Sequence, residues 1–220
     1  SPQEAIAAGL GMVHQHFMLV EPFTVTQNIV LGKEPRNNIG KLNLEKARQE
    51  IQQLSDRYGL KVDPDSKIRD ISVGMQQRVE ILKTLYRGSD VLIFDEPTAV
   101  LTPQEIHDLM DIMRSLVKEG KSIILITHKL KEIMEVCDRC TVIRKGKGIG
   151  TVNVAETTTT ELASLMVGRE VSFTTEKKEA QPKDVVLKIE NLYVHDARKV
   201  DLVRGLNLEV RAGEIVGIAG

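Results

Sequence analysis

The tightest constraint on this chain is the run Val91-Leu92-Ile93-Phe94, four apolar residues followed at once by Asp95, Glu96 and Pro97. Such a run is too short for a buried helix and fits a strand of a buried parallel sheet. Its end sets two adjacent carboxylates at the C-terminal edge of the sheet, where ligands of open α/β folds bind. A second run, Ile123–Ile126, ends in Thr127-His128, so the topology aims a histidine at the same edge. Between the two lies a helix pattern. Pro103 suits its first turn, Ile106, Leu109, Met113 and Leu116 supply the apolar stripe, and Gly120 ends it.

The same alternation extends outward. Gly11–His14 reads as a short strand end. Leu44, Ala47, Ile51, Leu54 and Tyr58 have the three-and-four spacing of an amphipathic helix closed by Gly59. A helix over Gly74–Arg87 buries Val79, Leu82 and Leu85. Lys129–Val136 is helical, Thr157–Thr160 is a capping segment, and Thr141–Arg144 with Ile149–Val154 flank a turn at Gly146–Gly148. Strands alternating with helices imply an α/β parallel sheet. From Glu170 to Asp184 the composition shifts to Thr, Glu, Lys, Gln and Pro, a linker. Beyond it, Val185–Leu192, Leu206–Val210 and Glu214–Ala219 read as strands, with a turn at Arg211-Ala212-Gly213.

Composition narrows the function. Of 220 residues, 41% are hydrophobic, enough for a packed core, but only 3% are aromatic, too few for a base-stacking platform. Thirty basic residues balance thirty-one acidic ones with no basic stripe, which argues against nucleic acid. Two cysteines cannot staple a chain of this length, as in a reducing cytosol. Every apolar run falls far below the ~20 residues of a membrane span, and Ser1-Pro2-Gln3-Glu4 lacks the pattern of a signal peptide. The chain reads as soluble, serving any membrane through partners.

Adjacent carboxylates closing a strand suit metal-dependent phosphoryl transfer, Asp95 holding Mg²⁺ and Glu96 orienting the attacking water. Such a pair also closes many strands as a plain polar turn. Ile71-Ser72-Val73-Gly74-Met75-Gln76-Gln77-Arg78 opens a helix with a Ser hydroxyl and free backbone N–H groups, an anion site or an ordinary cap. Taken in order, Gln15 after a strand, Ser72-Val73-Gly74, Asp95-Glu96-Pro97-Thr98 and His128 resemble the Q-loop, signature, Walker B and H-loop of the ABC ATPases. The resemblance covers about Gly11 to Val167, and the segment past the linker resembles the start of a second ABC domain.

That resemblance implies a P-loop NTPase-like fold and residue roles. Gln15 would reach the metal and lytic water, and His128 the γ-phosphate of the nucleotide bound by its own domain. Ser72 and Gly74 would contact the γ-phosphate of an ATP held mainly by the opposite domain. It divides the chain into 1–169, the C-terminal part of a first nucleotide-binding domain with a helical subdomain about 26–88, a linker 170–184, and strands of a second domain over 185–220. ATP and Mg²⁺ are the implied cofactors. The implied partners are transmembrane permease subunits docked on roughly Thr26–Arg69, the second ABC domain of the same chain and, indirectly, an extracytoplasmic solute-binding protein. No nucleic acid is implied. The location would be the cytoplasmic face of the membrane, peripherally.

Within the family, Val13-His14-Gln15-His16-Phe17-Met18-Leu19 and Glu96-Pro97-Thr98-Ala99-Val100-Leu101-Thr102 look most like the tandem ATPases of simple-sugar and nucleoside importers, leaning toward the nucleoside branch. A soluble ABC protein acting on ribosomes or DNA is the rival, and the long basic insertions or coiled-coil arms that would favour it are missing. The pattern departs from the family at Val73, at Met75 and at Thr102 in place of the D-loop aspartate. No G-x-x-x-x-G-K-[ST] loop occurs in the sequence. Its absence leads to the expectation that one P-loop lies upstream of Ser1, that another would begin at Gly217-Ile218-Ala219-Gly220, and that apolar sheet surface stays uncovered. Cys137 and Cys140 read as small buried hydrophobes, His16 as a solvated loop residue, and Tyr193 or His195 as adenine-stacking candidates set off the family's register.

Overall fold

The computed structural model describes residues 1–37, 39–170, 181–196 and 200–218. The chain forms two units, Ser1–Val171 and Ser172–Gly220, each described by itself. In the first unit the order is α1 (Pro2–Ala7), β1 (Leu10–Val13), α2 (Val25–Val30), α3 (Leu44–Tyr58), α4 (Val73–Tyr86), β2 (Val91–Asp95), α5 (Pro103–Lys118) and β3 (Ser122–Ile126). There follow α6 (Leu130–Val136), β4 (Arg139–Arg144), β5 (Lys147–Asn153) and α7 (Thr159–Val167).

The sheet has the order β1-β2-β3 and is parallel throughout, with Leu10 opposite Val91 and Asp95 opposite Ile126. Its helix-covered face is dry. Val13, Leu92 and Phe94 are fully buried in one core with Val79 and Leu82 of α4 and Leu109, Met113 and Leu116 of α5. β1 approaches α4 and the loop that follows it so closely that a Cβ at Gly11 would run into the Ser89 side chain of that loop and crowd Thr84 of the helix. The other face is open. Met12, Ile124 and Ile126 are 38%, 51% and 47% exposed. The apolar run of β2 suggests a strand covered on both sides, yet it buries only alternate residues.

Local chemistry explains the helix ends. Thr102 caps α5 in a reciprocal box with Glu105, and Pro103 occupies its first turn. Asn43 opens α3 and Gly59 closes it at φ 66°. Two six-residue helices, α1 and α2, carry the same kind of capping box, at Ser1 with Glu4 and at Thr24 with Gln27. Thr158 opens α7, so the Thr157–Thr160 run is a capping segment. Among the described residues no helix is long and apolar enough to cross a membrane.

A smaller core gathers Ile133, Val142, Val154 and Leu162 where α6 and α7 pack on the antiparallel pair β4–β5. Cys137 and Cys140 are free and pack against it as partly buried apolar groups.

The second unit is a single antiparallel pair, β6 (Val185–His195) with β7 (Asp201–Arg211), its ladder shifting register at several points. Both strands outrun the segments Val185–Leu192 and Leu206–Val210 expected from sequence. The strand expected over Glu214–Ala219 is not found in residues 214–218. Ile215 and Ile218 are 86% and 84% exposed there, and among the described residues the segment pairs with no strand, as a parallel strand must to form. Ala219 and Gly220 lie outside the described residues, as do residues 171–180 of the expected linker.

Burial pushes the Cys137 thiol up to about 11. A raised value leaves almost no thiolate at pH 8, so alkylation by iodoacetamide there should run at least about tenfold slower than for an ordinary thiol. The rate should still be climbing past pH 10, where an unperturbed thiol of pKa about 8.5 has levelled off. Mass spectrometry of the labelled protein reads both; fast labelling at pH 8 would contradict the burial.

Candidate functional site

β2 and β3 end side by side, and the site grows from their ends. Asp95, the last residue of β2, stands in register with Ile126, the last of β3. The Glu96 amide still donates to the Ile126 carbonyl at 2.9 Å, so the ladder runs one bond beyond the strand. There the backbone turns over. Glu96 takes φ 42°, the left-handed region that a residue with a Cβ enters only at a cost of about 1–2 kcal/mol. Strain of this kind persists where surrounding structure fixes it and gathers at functional sites.

The turn brings three expected residues together. His128 Nδ1 lies 2.9 Å from Glu96 Oε1, and Gln15 Nε2 donates to Glu96 Oε2 at 3.4 Å. Both oxygens of one carboxylate are thus engaged, one from the loop after β3 and one from the loop after β1. Gln15 and His128 are exposed, whereas the Glu96 side chain is 31% exposed, so the group is reachable from solvent. The loop bearing Gln15 is tied down by α4. The Met18 amide donates to Glu80 at 2.6 Å, and Lys83 Nζ donates to the Met18 carbonyl at 2.9 Å.

A second layer lies beneath. Glu132 of α6, 5% exposed, accepts from the Thr98 hydroxyl at 2.5 Å and from the Thr127 hydroxyl at 3.0 Å. Lys129 Nζ donates to the Thr98 carbonyl at 3.0 Å and to its hydroxyl at 2.8 Å, and sits 3.5 Å from Glu132. Sequence alone gives none of these four side chains a role, although Thr98 and Thr127 stand inside the motifs that mark the site. Thr98 and Glu132 stand 34 positions apart, and no spacing rule links them.

Ser72 and Gly74 lie elsewhere, at the start of α4. Ser72 caps the helix by accepting from the Met75 amide. Gly74 is buried against α5, where any Cβ would collide with the Glu105 carboxylate. That carboxylate is held below its usual range by the Thr102 backbone and hydroxyl, with smaller help from the Gly74 amide and Arg78. Around it lies a cavity of about 60 Å³ lined by Ser72, Gly74, Gln77, Arg78 and Glu105. Among the described residues no hydrogen bond joins Ser72 or Gly74 to Gln15, Glu96 or His128.

The donor set bears on Mg²⁺. Among the described residues no three His, Cys, Asp or Glu side chains form a cage. Mg²⁺ needs none, being held by one or two carboxylates together with substrate phosphates and water. Asp95 and Gln15 carry oxygen donors of the kind Mg²⁺ takes, so the residue types fit the ion. In the second unit Tyr193 is half exposed, with its hydroxyl beside Gly205, and His195 Nδ1 sits on Asp201.

Glu96→Gly and Glu96→Ala both delete the carboxylate and differ only in tolerance for positive φ. The glycine variant should be the more stable by about 1 kcal/mol in urea unfolding, the reverse of their order in a helix. Equal stabilities would mean that Glu96 is not held in the left-handed region in solution.

The chain is similar to known proteins. Residues 2–99 match the family described as ABC transporter. The nucleoside import ATP-binding protein NupA of Lactococcus lactis subsp. cremoris is 66% identical over 220 residues, all of this chain and 43% of that protein. The guanosine import ATP-binding protein NupO of Bacillus subtilis is 67% identical with the same coverage. Among solved structures, cbiO1 from Clostridium perfringens, part of the ABC transporter complex cbiONQ, superposes with TM-score 0.58 at 27% identity over 73% of this chain and 62% of that one. The chain spans less than half the length of the curated relatives it matches. Residues 2–99 thus match the ABC transporter family, and along its whole length the chain is similar to proteins named as nucleoside and guanosine import ATP-binding proteins.

Proposed function

We propose that this chain holds the water-activating half of an ATP site, in a longer protein that couples ATP hydrolysis to import of a nucleoside or simple sugar. The observation that carries the reading is the Glu96 carboxylate held between Gln15 and His128 at the C-terminal edge of a parallel sheet. The solute class rests on the relatives, two of which are named for nucleoside and guanosine import.

Glu96 orients the attacking water and draws on its proton as the bond to the γ-phosphorus forms. Its fixed geometry means that little reorientation is left for the moment of reaction. His128, bonded to one Glu96 oxygen, places its imidazole beside the γ-phosphate and anchors the nucleotide against the carboxylate. Gln15 touches the other oxygen and senses whether the nucleotide is in place. Asp95 and Gln15 would hold Mg²⁺, which offsets the charge on the β- and γ-phosphates. Through Met18, Glu80 and Lys83, a shift at Gln15 is passed to α4. Ser72 and Gly74 open that helix toward a nucleotide on a second ABC domain of the same protein: Ser72 would offer its hydroxyl, and Gly74 would contact the phosphate once its amide leaves the Glu105 carboxylate.

In this reading residues 1–169 belong to the first nucleotide-binding domain, 170–184 tether it, and 185–220 belong to the second. The helical region over roughly Thr26–Arg69 docks on permease subunits that span the membrane, so the protein works at the cytoplasmic face as a peripheral component. An extracytoplasmic solute-binding protein would feed the permease.

In the full-length protein, Glu96→Gln should lower ATP turnover by about 10²-fold or more while ATP binding persists. Unchanged turnover would refute the role given to Glu96. The 220-residue chain has no G-x-x-x-x-G-K-[ST] loop and should not bind Mg-ATP, whereas a version extended to include that loop with its strand and helix should. Equal binding by both, measured by calorimetry, would place the phosphate site elsewhere.

A further inference from the structure

The buried Glu132 carboxylate has no place in the reaction as drawn, yet it is among the most elaborately bonded side chains of the first unit. Its two oxygens accept from different loops. Oε1 takes the Thr98 hydroxyl, two residues after Glu96, and Oε2 takes the Thr127 hydroxyl, one residue before His128. The Lys129 ammonium, one residue after His128, reaches back to the Thr98 carbonyl and hydroxyl and completes a ring. Thr127 is fixed from its other side, its hydroxyl also accepting from the Lys129 amide at 3.0 Å. The Lys129–Thr98 bonds run directly from the His128 side to the Glu96 side, and Glu132 joins Thr98 on the one side to Thr127 on the other.

A carboxylate 5% exposed is costly unless charge and hydrogen bonds offset its desolvation. Here a lysine and two hydroxyls do so, and all three sit on the loops that carry the site. The chemistry of the ring also demands an acid. Each threonine hydroxyl donates to Glu132, leaving the Thr98 oxygen to accept from Lys129 and the Thr127 oxygen to accept from the Lys129 amide. An amide at position 132 would keep one acceptor and turn an NH₂ group toward the other hydroxyl, which would have to reverse its bonding and abandon the ring.

We propose that Glu132 is a positioning residue for the hydrolytic step: by bonding Thr98 and Thr127 together it sets the 2.9 Å approach of His128 to Glu96 from beneath, touching neither nucleotide nor water. This rests on the assignment of Glu96 and His128 to hydrolysis given above. Thr98 and Lys129 act through the same ring, and the substrate class is unchanged.

The test uses the full-length protein and ATPase kinetics. Glu132→Gln should lower kcat by roughly ten- to a hundredfold, the cost of a displaced catalytic pair, with KM within about twofold. Thr127→Val, which keeps the shape and deletes the hydroxyl, should do the same, and Thr127→Ser should restore turnover. A purely structural role would not produce the decisive signature. In a His128→Ala background, where there is no pair left to position, Glu132→Gln should cost almost nothing further. Full additivity of the two substitutions, or wild-type kcat in Glu132→Gln, overturns the proposal. So does a loss in Thr127→Val that Thr127→Ser fails to restore. Glu96→Gln runs alongside. If it stalls turnover while Glu132→Gln does not, the positioning role alone falls. If Glu96→Gln turns over like wild type, the reading of the whole site falls and takes this proposal with it.

Discussion

One hydrogen bond, from the Glu96 amide to the Ile126 carbonyl, links the sheet to the chemistry. It extends the pairing of β2 and β3 past the last strand residue, so the carboxylate is placed by the ladder before any loop side chain acts. The ladder in turn depends on Leu92 and Phe94, fully buried beneath α4 and α5. Packing therefore reaches the site through the backbone. The positive φ at Glu96 is the visible sign of this coupling, since a free loop would relax out of it.

Around that bond the molecule works in two layers. The outer one is polar and reachable, with Gln15 and His128 on opposite oxygens of Glu96. The inner one is buried, with Thr98, Thr127 and Lys129 closed on Glu132. The two layers share no atoms but the same loops, so side chains on the surface inherit order from side chains beneath. The start of α4 is a different place with a different logic. There the close approach of Gly74 to Glu105 leaves no room for a side chain, and helix packing rather than sheet register sets the geometry.

Much of this was legible in the sequence, for definable reasons. Strands β2 and β3 announce themselves because an unbroken apolar run of four or five residues has few other uses. Helices α3 and α5 show stripe and stop signal together. The company of Gln15, Glu96 and His128 follows from chain order, because parallel strands deliver their ends to one edge. Helices α1 and α2 escaped because six residues cannot display a period, though their capping boxes at Ser1 and Thr24 were in plain view. The Glu214–Ala219 strand was misjudged because apolar character marks what a segment could pair with, not what is present. Glu132 was invisible in principle. On its own helix it is one of two acids, and only the fold turns it inward onto two threonines.

The separations along the chain order the assembly of the site in time. Glu96 and His128 stand 32 residues apart, joined through α5, whereas Gln15 and Glu96 stand 81 apart. Closing the shorter loop loses less entropy, so β2, α5 and β3 can come together as a unit while β1 is still unplaced. The carboxylate–histidine pair is then the older half of the site in each folding event, and the glutamine is the latecomer. A polypeptide leaving the ribosome makes β1 first but can use it only after β2 has appeared. Until then the Gly11–Val13 stretch waits without its neighbours, open to whatever else in the cell will hold an unpaired strand.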